Sequence, residues 1–345
     1  MTRTLFWVIS DTGWHDGSLA AAWGGWWLGL SGVHVTVQPL YPPEGPEMTW
    51  PQGVAVADPV AEGRGRWAAA RITRRLSESL QDADRVITDQ DFDTEFRVLR
   101  ALQGAVHSPF LFARQAELPS SRTDAALVPY GSFESILAAS RVAMQIILAA
   151  DLVLPSRCFL VSPPPLPQAE AETHPWPFPQ DGTPTLAMAG ALTPVKGVDA
   201  VLNALTVLRD RHRTARLMVL GDGPDAARLQ VYAAALGIEA VFLPDWLTWS
   251  AYLHRADQCL APQFRDGLGW EVAAASACGL PVLANQLPVL AERVENFSGA
   301  RLLPRPAVMD WVEALEASLV PHREAPRDSL NRGGQGWMEA LGWNS

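Results

Sequence analysis

The sequence predicts an α/β protein of two domains, each built on a parallel β-sheet with helices packed on both faces. Its 345 residues are about twice the length of a common domain. In the second half, short apolar runs of strand length alternate with helical stretches, which is typical of parallel sheets whose strands are joined by helices. A segment rich in proline, residues 163–184, separates the halves and is predicted to be the interdomain linker.

The first domain, residues 1–162, is predicted to open with a βαβ unit. Thr4 to Ser10 is a continuous apolar run of strand length, and Val33 to Leu40 is a second one. The loop Asp11 to Gly17 and the helical stretch Ser18 to Leu30 lie between them. Because ligands of doubly wound sheets bind beyond the carboxyl ends of the strands, this loop is expected to face a ligand.

The rest of the first domain is predicted from shorter signals. Tyr41 to Gly65 is rich in Pro and Gly, which indicates a long surface excursion. Arg66 to Gln81 has helical spacing of its apolar residues. The remaining elements are strands at Arg85–Thr88, Pro109–Ala113, Ser135–Ser140 and Phe159–Ser162 and a helix at Arg141–Ala150.

The second domain, residues 185–319, is predicted to alternate strand and helix throughout. Its expected strands are Thr185–Ala189, Arg216–Leu220, Ala240–Leu243, Gln258–Ala261, Pro281–Ala284 and Ala300–Leu303. Its expected helices lie near Val198–Asp210, Asp225–Leu236, Ser250–Ala256, Glu271–Cys278, Val289–Asn296 and Asp310–Leu319. A polar segment that contains glycines, residues 320–345, follows the last helix.

Composition limits the partners and the location of the protein. A formal net charge of −10 argues against nucleic acid as the main partner. Cys158, Cys259 and Cys278 share no metal-ligand or redox spacing, so they are expected to be reduced and buried. Met1 to Thr4 leads straight into the first strand, and no apolar run is long enough to span a membrane. The expected location is cytoplasmic, either free in solution or peripheral at the inner membrane face.

The stretch Ala261 to Ala284 has the strongest functional signal in the chain. It reads as a strand end, a loop with Gly267 and Gly269, a helix of small residues and a new buried strand. The glycines let a ligand approach the backbone closely, and free N–H groups at a helix N-terminus favour an anion. This order of elements predicts a cradle for phosphate.

Three stretches, Gly190 to Leu205, Leu217 to Leu229 and Ala256 to Ala284, resemble the donor-binding half of a known enzyme family. They are similar to retaining GT-B glycosyltransferases of the family-4 type, the group 1 glycosyl transferases. The resemblance covers the C-terminal half well and the N-terminal half in outline. It implies two Rossmann-like domains that face a central cleft, with a nucleotide-sugar donor in the second domain and an acceptor in the first. It also implies that the segment 320–345 returns to the first domain.

Lys196 and Asp266 are the charged residues that the resemblance places at the donor. In the family, an Arg and a Lys bind the donor diphosphate and neutralise the charge that grows on the leaving group. Here Lys196 keeps the lysine, whereas Ala191 replaces the arginine. Two glutamates follow in the family's loop-and-helix signature. Asp266 stands at the first, which meets the transferred sugar, and Ala274 stands at the second, which contacts the ribose.

Glu271 lies one turn before Ala274 on the same predicted helix face. Two interpretations stay open for it: a substitute for the missing ribose-binding carboxylate, or the expected solvent-facing helix residue. Asn285 to Pro288 replace small family residues whose N–H groups hold phosphate, and Pro288 supplies no N–H. Either the donor differs from that of the family, or donor binding is weak or gone. The scaffold glycines persist, and the expected donor contacts of this scaffold are Gly221, Gly223, Gly267, Leu268 and Gly269.

Two side chains of the first domain are candidates for the catalytic cleft. The family often has a histidine shortly after a strand that begins with Pro, and here Pro109 to Gln115 has Arg114 or Gln115 at that place. Arg114 would bind a phosphate bidentately, His15 would act as a hydrogen-bond partner or base, and the loop at Gly17 would hold phosphate. A purely structural role is the open alternative for Arg114 and for His15.

A run of arginines lies in and just before the helix predicted at Arg66 to Gln81. It resembles a basic amphipathic helix that contacts an anionic membrane or holds a polyanionic acceptor. A solvated helix face that pairs with the acidic residues of this chain is the alternative. The run consists of Arg64, Arg66, Arg71, Arg74 and Arg75.

The function predicted from these residues is transfer of a sugar, with retention, from a nucleotide-sugar to a glycan or lipid-linked acceptor, as in polysaccharide biosynthesis. No metal ion and no cofactor are expected. Ala191, Ala274 and Pro288 motivate an alternative, a catalytically silent relative that binds a glycan or a partner such as an active glycosyltransferase. A third reading, a phosphate-sugar isomerase or epimerase, needs an acid/base set that the sequence does not show.

Overall fold

The computed structural model describes residues 3–43, 45–62, 69–105, 108–114, 130–167, 169, 173–304, 307–319 and 336–343. By its internal contacts the chain divides into two compact units, Met1–Pro164 with Gly333–Ser345, and Pro165–Arg332. Each unit contains a parallel sheet and helices, which confirms the predicted α/β class. None of the described helices is long and apolar enough to cross a membrane.

The first unit is organised around a seven-stranded parallel sheet in its described part. The strands are β1 (Arg3–Ile9), β2 (Val33–Pro39), β3 (Val54–Val56), β4 (Arg85–Asp89), β5 (Phe110–Ala113), β6 (Ile136–Ala138) and β7 (Cys158–Leu160). They are ordered β3-β2-β1-β4-β5-β6-β7. The helices that connect them are α1 (Asp16–Leu30), α2 (Ala69–Leu80), α3 (Phe92–Ala101) and α4 (Arg141–Ala149).

The second unit contains a six-stranded parallel sheet in its described part. The strands are β8 (Thr185–Ala189), β9 (Arg216–Leu220), β10 (Ala240–Leu243), β11 (Gln258–Ala261), β12 (Val282–Asn285) and β13 (Ala300–Leu303), ordered β10-β9-β8-β11-β12-β13. The helices are α5 (Val198–Asp210), α6 (Ala226–Ala235), α7 (Trp249–Leu253), α8 (Trp270–Ala277), α9 (Pro288–Val294) and α10 (Val308–Ser318). Every residue of β8, β9, β11 and β12 is buried, which explains why these strands are continuous apolar runs.

A last helix, α11 (Trp337–Ala340), packs on the first unit. The Trp337 ring stacks on Phe112 of β5 with 5.5 Å between ring centroids. Its indole Nε1 donates a hydrogen bond of 3.0 Å to the carbonyl of Ser162. Aromatic burial and one satisfied indole N–H therefore anchor this short helix, which has too few turns to be stable alone.

Two elements of the first unit differ from the sequence prediction. The surface excursion predicted at Tyr41 to Gly65 is wrong in part, because β3 lies inside it and pairs with β2. A strand of three residues, two of them exposed, has too short a pattern to recognise. Helix α3 was missed although its start carries a signal: the Asp91 side chain accepts the N–H of Thr94, and acids follow in the first turn.

The strand order of each sheet reverses between two central strands, β1 and β4 in the first unit and β8 and β11 in the second. At such a switch point the loops beyond the carboxyl ends of the strands diverge and leave a crevice for a ligand. In the second unit the loops 190–197 and 262–269 lie there. In the first unit the loop 10–15 and the residues after Asp89 lie there. Most of the predicted site residues are on these loops or at the first turns of the helices that follow.

Candidate functional site

Lys196 lies at the switch point of the second unit in a buried ion pair. Its Nζ is 2.7 Å from Oε1 of Glu271, and each of the two side chains is only 9% exposed. Gly190 makes room for this arrangement, because a Cβ built at Gly190 would lie 2.7 Å from Nζ. The pair joins the loop after β8 to the first turn of α8.

Lys196 is also the only lysine in the sequence. The other cationic side chains of the chain are arginines, and Lys and Arg together number 27. An ammonium is a compact point charge, whereas a guanidinium is a planar fork with five N–H donors. The compact ammonium of Lys196 fits the space between Gly190 and the carboxylate of Glu271, and the only lysine of the chain lies at this position.

The solvent-facing position expected for Glu271 is wrong. The residue is 7% exposed and is the second residue of α8, where a carboxylate also interacts favourably with the helix dipole. Every residue of α8 except Ala273 is buried. Because α8 has no polar face, the spacing of its residues does not distinguish outward from inward positions.

Two buried amides, Gln263 and Asn285, flank the ion pair. Asn285 Nδ2 donates to the carbonyls of Pro262 and Gln263 at 2.8 and 3.0 Å, which fixes the orientation of this amide. Gln263 Nε2 lies 3.4 Å from Oε1 of Glu271. The side-chain oxygens of both amides are buried and have no hydrogen-bond partner in the described part of the chain. Gln263 was not predicted as a site residue, because nothing in the sequence around it distinguishes it from a surface loop residue.

Asp266 caps a helix. Its Oδ1 accepts a hydrogen bond of 3.1 Å from the N–H of Val289, in the first turn of α9. Leu287 precedes this helix and offers no polar side chain, so the carboxylate comes from the neighbouring loop. The contact with a transferred sugar stays a prediction.

The glycines after β9 are required by loop packing. A Cβ at Gly221 would lie 2.2 Å from the carbonyl oxygen of Gly190, and one at Gly223 would lie 2.5 Å from the carbonyl oxygen of Leu192. The Leu192 N–H donates to the carbonyl of Asp222 at 2.8 Å, which draws the two loops together. These loop contacts are sufficient to explain why both positions are glycine. The predicted contacts of Gly221 and Gly223 with a nucleotide-sugar stay predictions.

The loop Gly267 to Gly269 leads into α8. Gly269 has a φ of 61°, a left-handed conformation that favours glycine, and it is the residue that precedes the helix. The carbonyl of Leu268 accepts hydrogen bonds from Nε and Nη2 of Arg293 at 3.1 and 3.0 Å. Arg293 thus holds the loop in place, and donor contacts at Gly267 and Leu268 stay predictions.

The cysteines are free thiols, and Cys158 and Cys259 are buried as expected, whereas Cys278 is partly exposed. Burial, and next the carboxylate of Glu271, raises the pKa of Cys259 to about 12, so this thiol is protonated at neutral pH. Within the residues that the structure describes, no group of three or more His, Cys, Asp or Glu could hold a metal ion.

His15 is the N-cap of α1. Its Nδ1 lies 3.1 and 3.2 Å from the N–H groups of Gly17 and Ser18, which donate to it, and its Nε2 lies 2.7 Å from Oγ of Ser18. With Nδ1 as acceptor, the neutral ring carries its proton on Nε2. The lone pair of Nδ1 therefore accepts hydrogen bonds from the first turn of α1. These hydrogen bonds would have to break before His15 could act as a base.

The space over Gly17 is filled by a carboxylate of this chain. A Cβ at Gly17 would lie 2.3 Å from Oδ2 of Asp89, at the carboxyl end of β4. Nε of Arg114 lies 2.9 and 3.1 Å from the two oxygens of Asp89. Burial disfavours the charge of Arg114, but Asp89 and Asp16 outweigh it and raise its pKa above the ordinary value. Phosphate binding at Gly17 or Arg114 stays a prediction, and it would require Asp89 to move.

A further carboxyl, Glu95 of α3, is buried near this ion pair and is 4% exposed. Burial, followed by repulsion from Asp89 and Asp91, raises its pKa to about 8, against the opposing effect of Arg114. Glu95 is thus largely protonated at neutral pH. No local pattern distinguishes Glu95, because the charged groups that surround it come from other elements.

Three carboxylates therefore occupy positions that favour anions. Glu271 lies on Lys196, Asp266 lies on the first turn of α9, and Asp89 lies over the first turn of α1. Helix N-termini and buried cations attract anions. Carboxylates of this chain fill all three of these positions.

The arginines of α2 lie on its exposed face, where Arg71, Arg74 and Arg75 are all exposed. Arg74 Nε bonds to Oε1 of Glu78 at 2.8 Å, and Arg75 Nη1 donates to the carbonyl of Val60 at 3.1 Å. Pairs of this exposed kind contribute little to stability. Other predicted residues lie outside the described part of the chain: Arg64, Arg66, Gln115 and the segment 320–335.

Comparison with known proteins identifies the second unit. Residues 183–319 match the family model described as glycosyl transferases group 1. A GDP-mannose-dependent α-(1-6)-phosphatidylinositol dimannoside mannosyltransferase of Mycobacterium tuberculosis is 34% identical over 146 residues, which are 41% of this chain and 38% of that protein. A D-inositol 3-phosphate glycosyltransferase of Saccharomonospora viridis is 31% identical over 171 residues, which are 46% of this chain and 39% of that protein. The chain thus matches less than half the length of these curated relatives.

Solved structures resemble the whole chain, both the first unit and the second. WaaG, a glycosyltransferase involved in lipopolysaccharide biosynthesis, is 17% identical with a TM-score of 0.66, over 98% of this chain and 94% of that one. HepE of Anabaena, solved in complex with UDP, is 12% identical with a TM-score of 0.61, over 99% of this chain and 94% of that one. These likenesses show the fold, two parallel-sheet α/β domains of the GT-B class.

Proposed function

We propose that this chain is a glycosyltransferase that moves a sugar, with retention, from a nucleotide-sugar to a hydroxyl of a glycan or lipid-linked acceptor. The observation that carries the proposal is the position of Lys196. The only lysine of the chain is buried at the switch point of the group 1 glycosyl transferase unit, within the matched residues 183–319.

Lys196 would bind the diphosphate of the donor. Negative charge grows on the diphosphate as the glycosidic bond breaks, and a cation held there beforehand stabilises that charge. Its effect is larger in a site shielded from water, because the effective dielectric constant is lower than in bulk solvent. Asp266 would contact the transferred sugar, and the backbone at Gly267 and Gly269 would complete the donor site. Glu271 would border that site as the counter-ion of Lys196.

The names of similar proteins support a nucleoside diphosphate hexose as donor. The mycobacterial relative is named as GDP-mannose-dependent and acts on a phosphatidylinositol dimannoside, and HepE was solved with UDP. A lipid-linked acceptor would agree with a cytoplasmic protein that contacts the inner membrane face through the exposed arginines of α2. Binding to lipid vesicles by wild type but not by a variant with Arg71, Arg74 and Arg75 replaced by glutamine tests that part separately.

The proposal is tested by turnover of a panel of nucleotide-sugars. GDP-mannose, UDP-glucose, UDP-galactose and ADP-glucose are incubated with the full chain, with and without inositol 3-phosphate as an acceptor, and release of the nucleoside diphosphate is measured. We expect turnover with at least one donor, and a loss of at least about tenfold in Lys196→Ala and in Asp266→Asn. Asn can still cap α9, so this second variant removes the charge but keeps the helix cap. Neither turnover nor thermal stabilisation by any donor would contradict the proposal.

A second candidate is a catalytically silent relative that binds a glycan or a partner protein. The pairing of Lys196 with Glu271, together with Ala191 in place of a second cation, favours it. It predicts no thermal stabilisation by GDP, UDP or any nucleotide-sugar of the panel. Stabilisation by a nucleoside diphosphate would remove this candidate.

A further inference from the structure

We infer that Glu271 determines the phosphate affinity of the glycosyl transferase unit, as an internal counter-anion that a donor phosphate has to displace from Lys196. This inference rests on the proposed function and adds to it a residue that tunes donor binding. Glu271 is distinct from the position that the family uses for the ribose, where this chain has Ala274.

The geometry makes Glu271 a direct competitor of a phosphate. Nζ and Oε1 are 2.7 Å apart, a charge-assisted hydrogen bond between two side chains that are both 9% exposed. Gly190 lies against Nζ on another side of the ammonium. A phosphate that binds Lys196 from solvent therefore meets a cation already neutralised, with a carboxylate beside it that repels the phosphate.

Among the residues that the structure describes, Lys196 is the one cation recorded in an ion pair with Glu271. Ala191 removes the arginine that would share the diphosphate, and the guanidinium of Arg293 is engaged by the carbonyl of Leu268 and by Glu292. Arg265 is exposed on the loop after β11. Because the pair is close to neutral, Glu271 decides how much positive charge the site presents.

A displaced Glu271 carboxylate has partners within reach. Gln263 Nε2 already donates a long hydrogen bond of 3.4 Å to Oε1, and a small rotation would shorten it. The first turn of α8 stabilises a carboxylate as well. Exchange of Glu271 for a phosphate on Lys196 therefore does not leave a buried carboxylate without hydrogen bonds, a state that would be costly.

Two variants of the full chain test this assignment with opposite signs. Glu271→Gln keeps the shape and an oxygen for Lys196 but removes the competing charge, so it should bind GDP or UDP at least about tenfold more tightly than wild type. Gln263→Met removes the partner of the displaced carboxylate and should bind the same nucleotide severalfold more weakly. Because Gln263→Met replaces an amide whose oxygen is unpaired, it is expected to fold.

Isothermal titration of GDP and UDP into wild type, Glu271→Gln and Gln263→Met measures these affinities. Tighter nucleotide binding by Glu271→Gln than by wild type supports the inference. If Glu271→Gln does not fold, weaker nucleotide binding by Gln263→Met supports it. Equal or weaker binding by a folded Glu271→Gln overturns it, as does unchanged affinity in Gln263→Met when the first variant does not fold. If wild type and both variants bind no nucleotide and no nucleotide-sugar, the proposed function fails together with the inference.

Discussion

Replacing Gly17 by alanine would put a methyl group where the Asp89 carboxylate lies. An ideal Cβ at Gly17 is 2.3 Å from Oδ2 and 2.9 Å from Cγ of Asp89, whereas ordinary contact begins at 3.4 Å. Asp89 cannot retreat, because it is 1% exposed and both of its oxygens contact Arg114. Overpacking costs about 1–3 kcal/mol, and breaking a buried ion pair costs about 3–5 kcal/mol. We expect partial relaxation and a loss of about 2–4 kcal/mol in the free energy of unfolding.

Gly29→Ala is the matched control, because Gly29 lies in the same helix and no described atom outside its chain neighbours and the nearby helix backbone lies within 4 Å of an ideal Cβ. Alanine has the higher helix propensity, so this variant should gain from a few tenths to about 1 kcal/mol. Equilibrium urea unfolding of wild type and both variants, followed by circular dichroism, gives the three free energies. If Gly17→Ala were as stable as Gly29→Ala, the conclusion that a carboxylate fills the space over Gly17 would be refuted.

Three further predictions concern the buried charges. Lys196→Met should lower the free energy of unfolding by about 3–5 kcal/mol because it leaves Glu271 buried without its cation, and adding Glu271→Met should restore most of that loss in urea unfolding. An equal loss in the double variant would contradict a buried pair. Asp266→Ala should cost about 0.5–2 kcal/mol through loss of the α9 cap, and Asp266→Asn much less, which melting temperatures would reveal. The pKa of Glu95 is raised from 4.5 to about 8, so the folded state binds the proton more tightly and stability should fall as pH rises across that range. Glu95→Gln should flatten this decrease in urea unfolding at several pH values, and an unchanged slope would contradict the assigned pKa.

Four strands of the second unit, β8, β9, β11 and β12, were predictable because burial of every residue makes each a short apolar run between loop residues. The predicted bounds of β8, β9, β10, β11 and β13 agree with the structure, and those of β12 differ by one residue at each end. Helix α5 also has the predicted bounds. By contrast, β3 was not predicted because an exposed edge strand of three residues has too short a pattern, and α3 was missed although its N-cap and the acids of its first turn are a local signal.

The switch-point loops were predictable in place but not in detail. The strand order places the loops with Lys196 and His15 at the carboxyl ends of strands. The resemblance to group 1 glycosyl transferases then indicates Lys196 as the residue that binds the diphosphate. The partner of Lys196 is 75 residues away along the chain, and a pair at such a separation leaves no local pattern. Asp89 over Gly17 is a similar case, because only the parallel pairing of β1 with β4 brings the two residues together.

The same limit explains the unexpected burial of Glu271. Periodicity identifies an outward face only where a helix has one, and α8 is enclosed on almost every side. The buried acid Glu95 has a comparable origin, since its neighbours Asp89 and Arg114 come from β4 and from the end of β5.

Contact between Lys196 and a donor phosphate is most directly measured through the side-chain signal of the only lysine. A chain labelled with ¹⁵N at lysine Nζ should give one NMR resonance, which can be followed while GDP-mannose or UDP-glucose is added, with Lys196→Ala as the binding control. We predict that a donor moves this resonance and binds Lys196→Ala at least about tenfold more weakly. A donor that binds both proteins equally and leaves the resonance in place would contradict the role of Lys196.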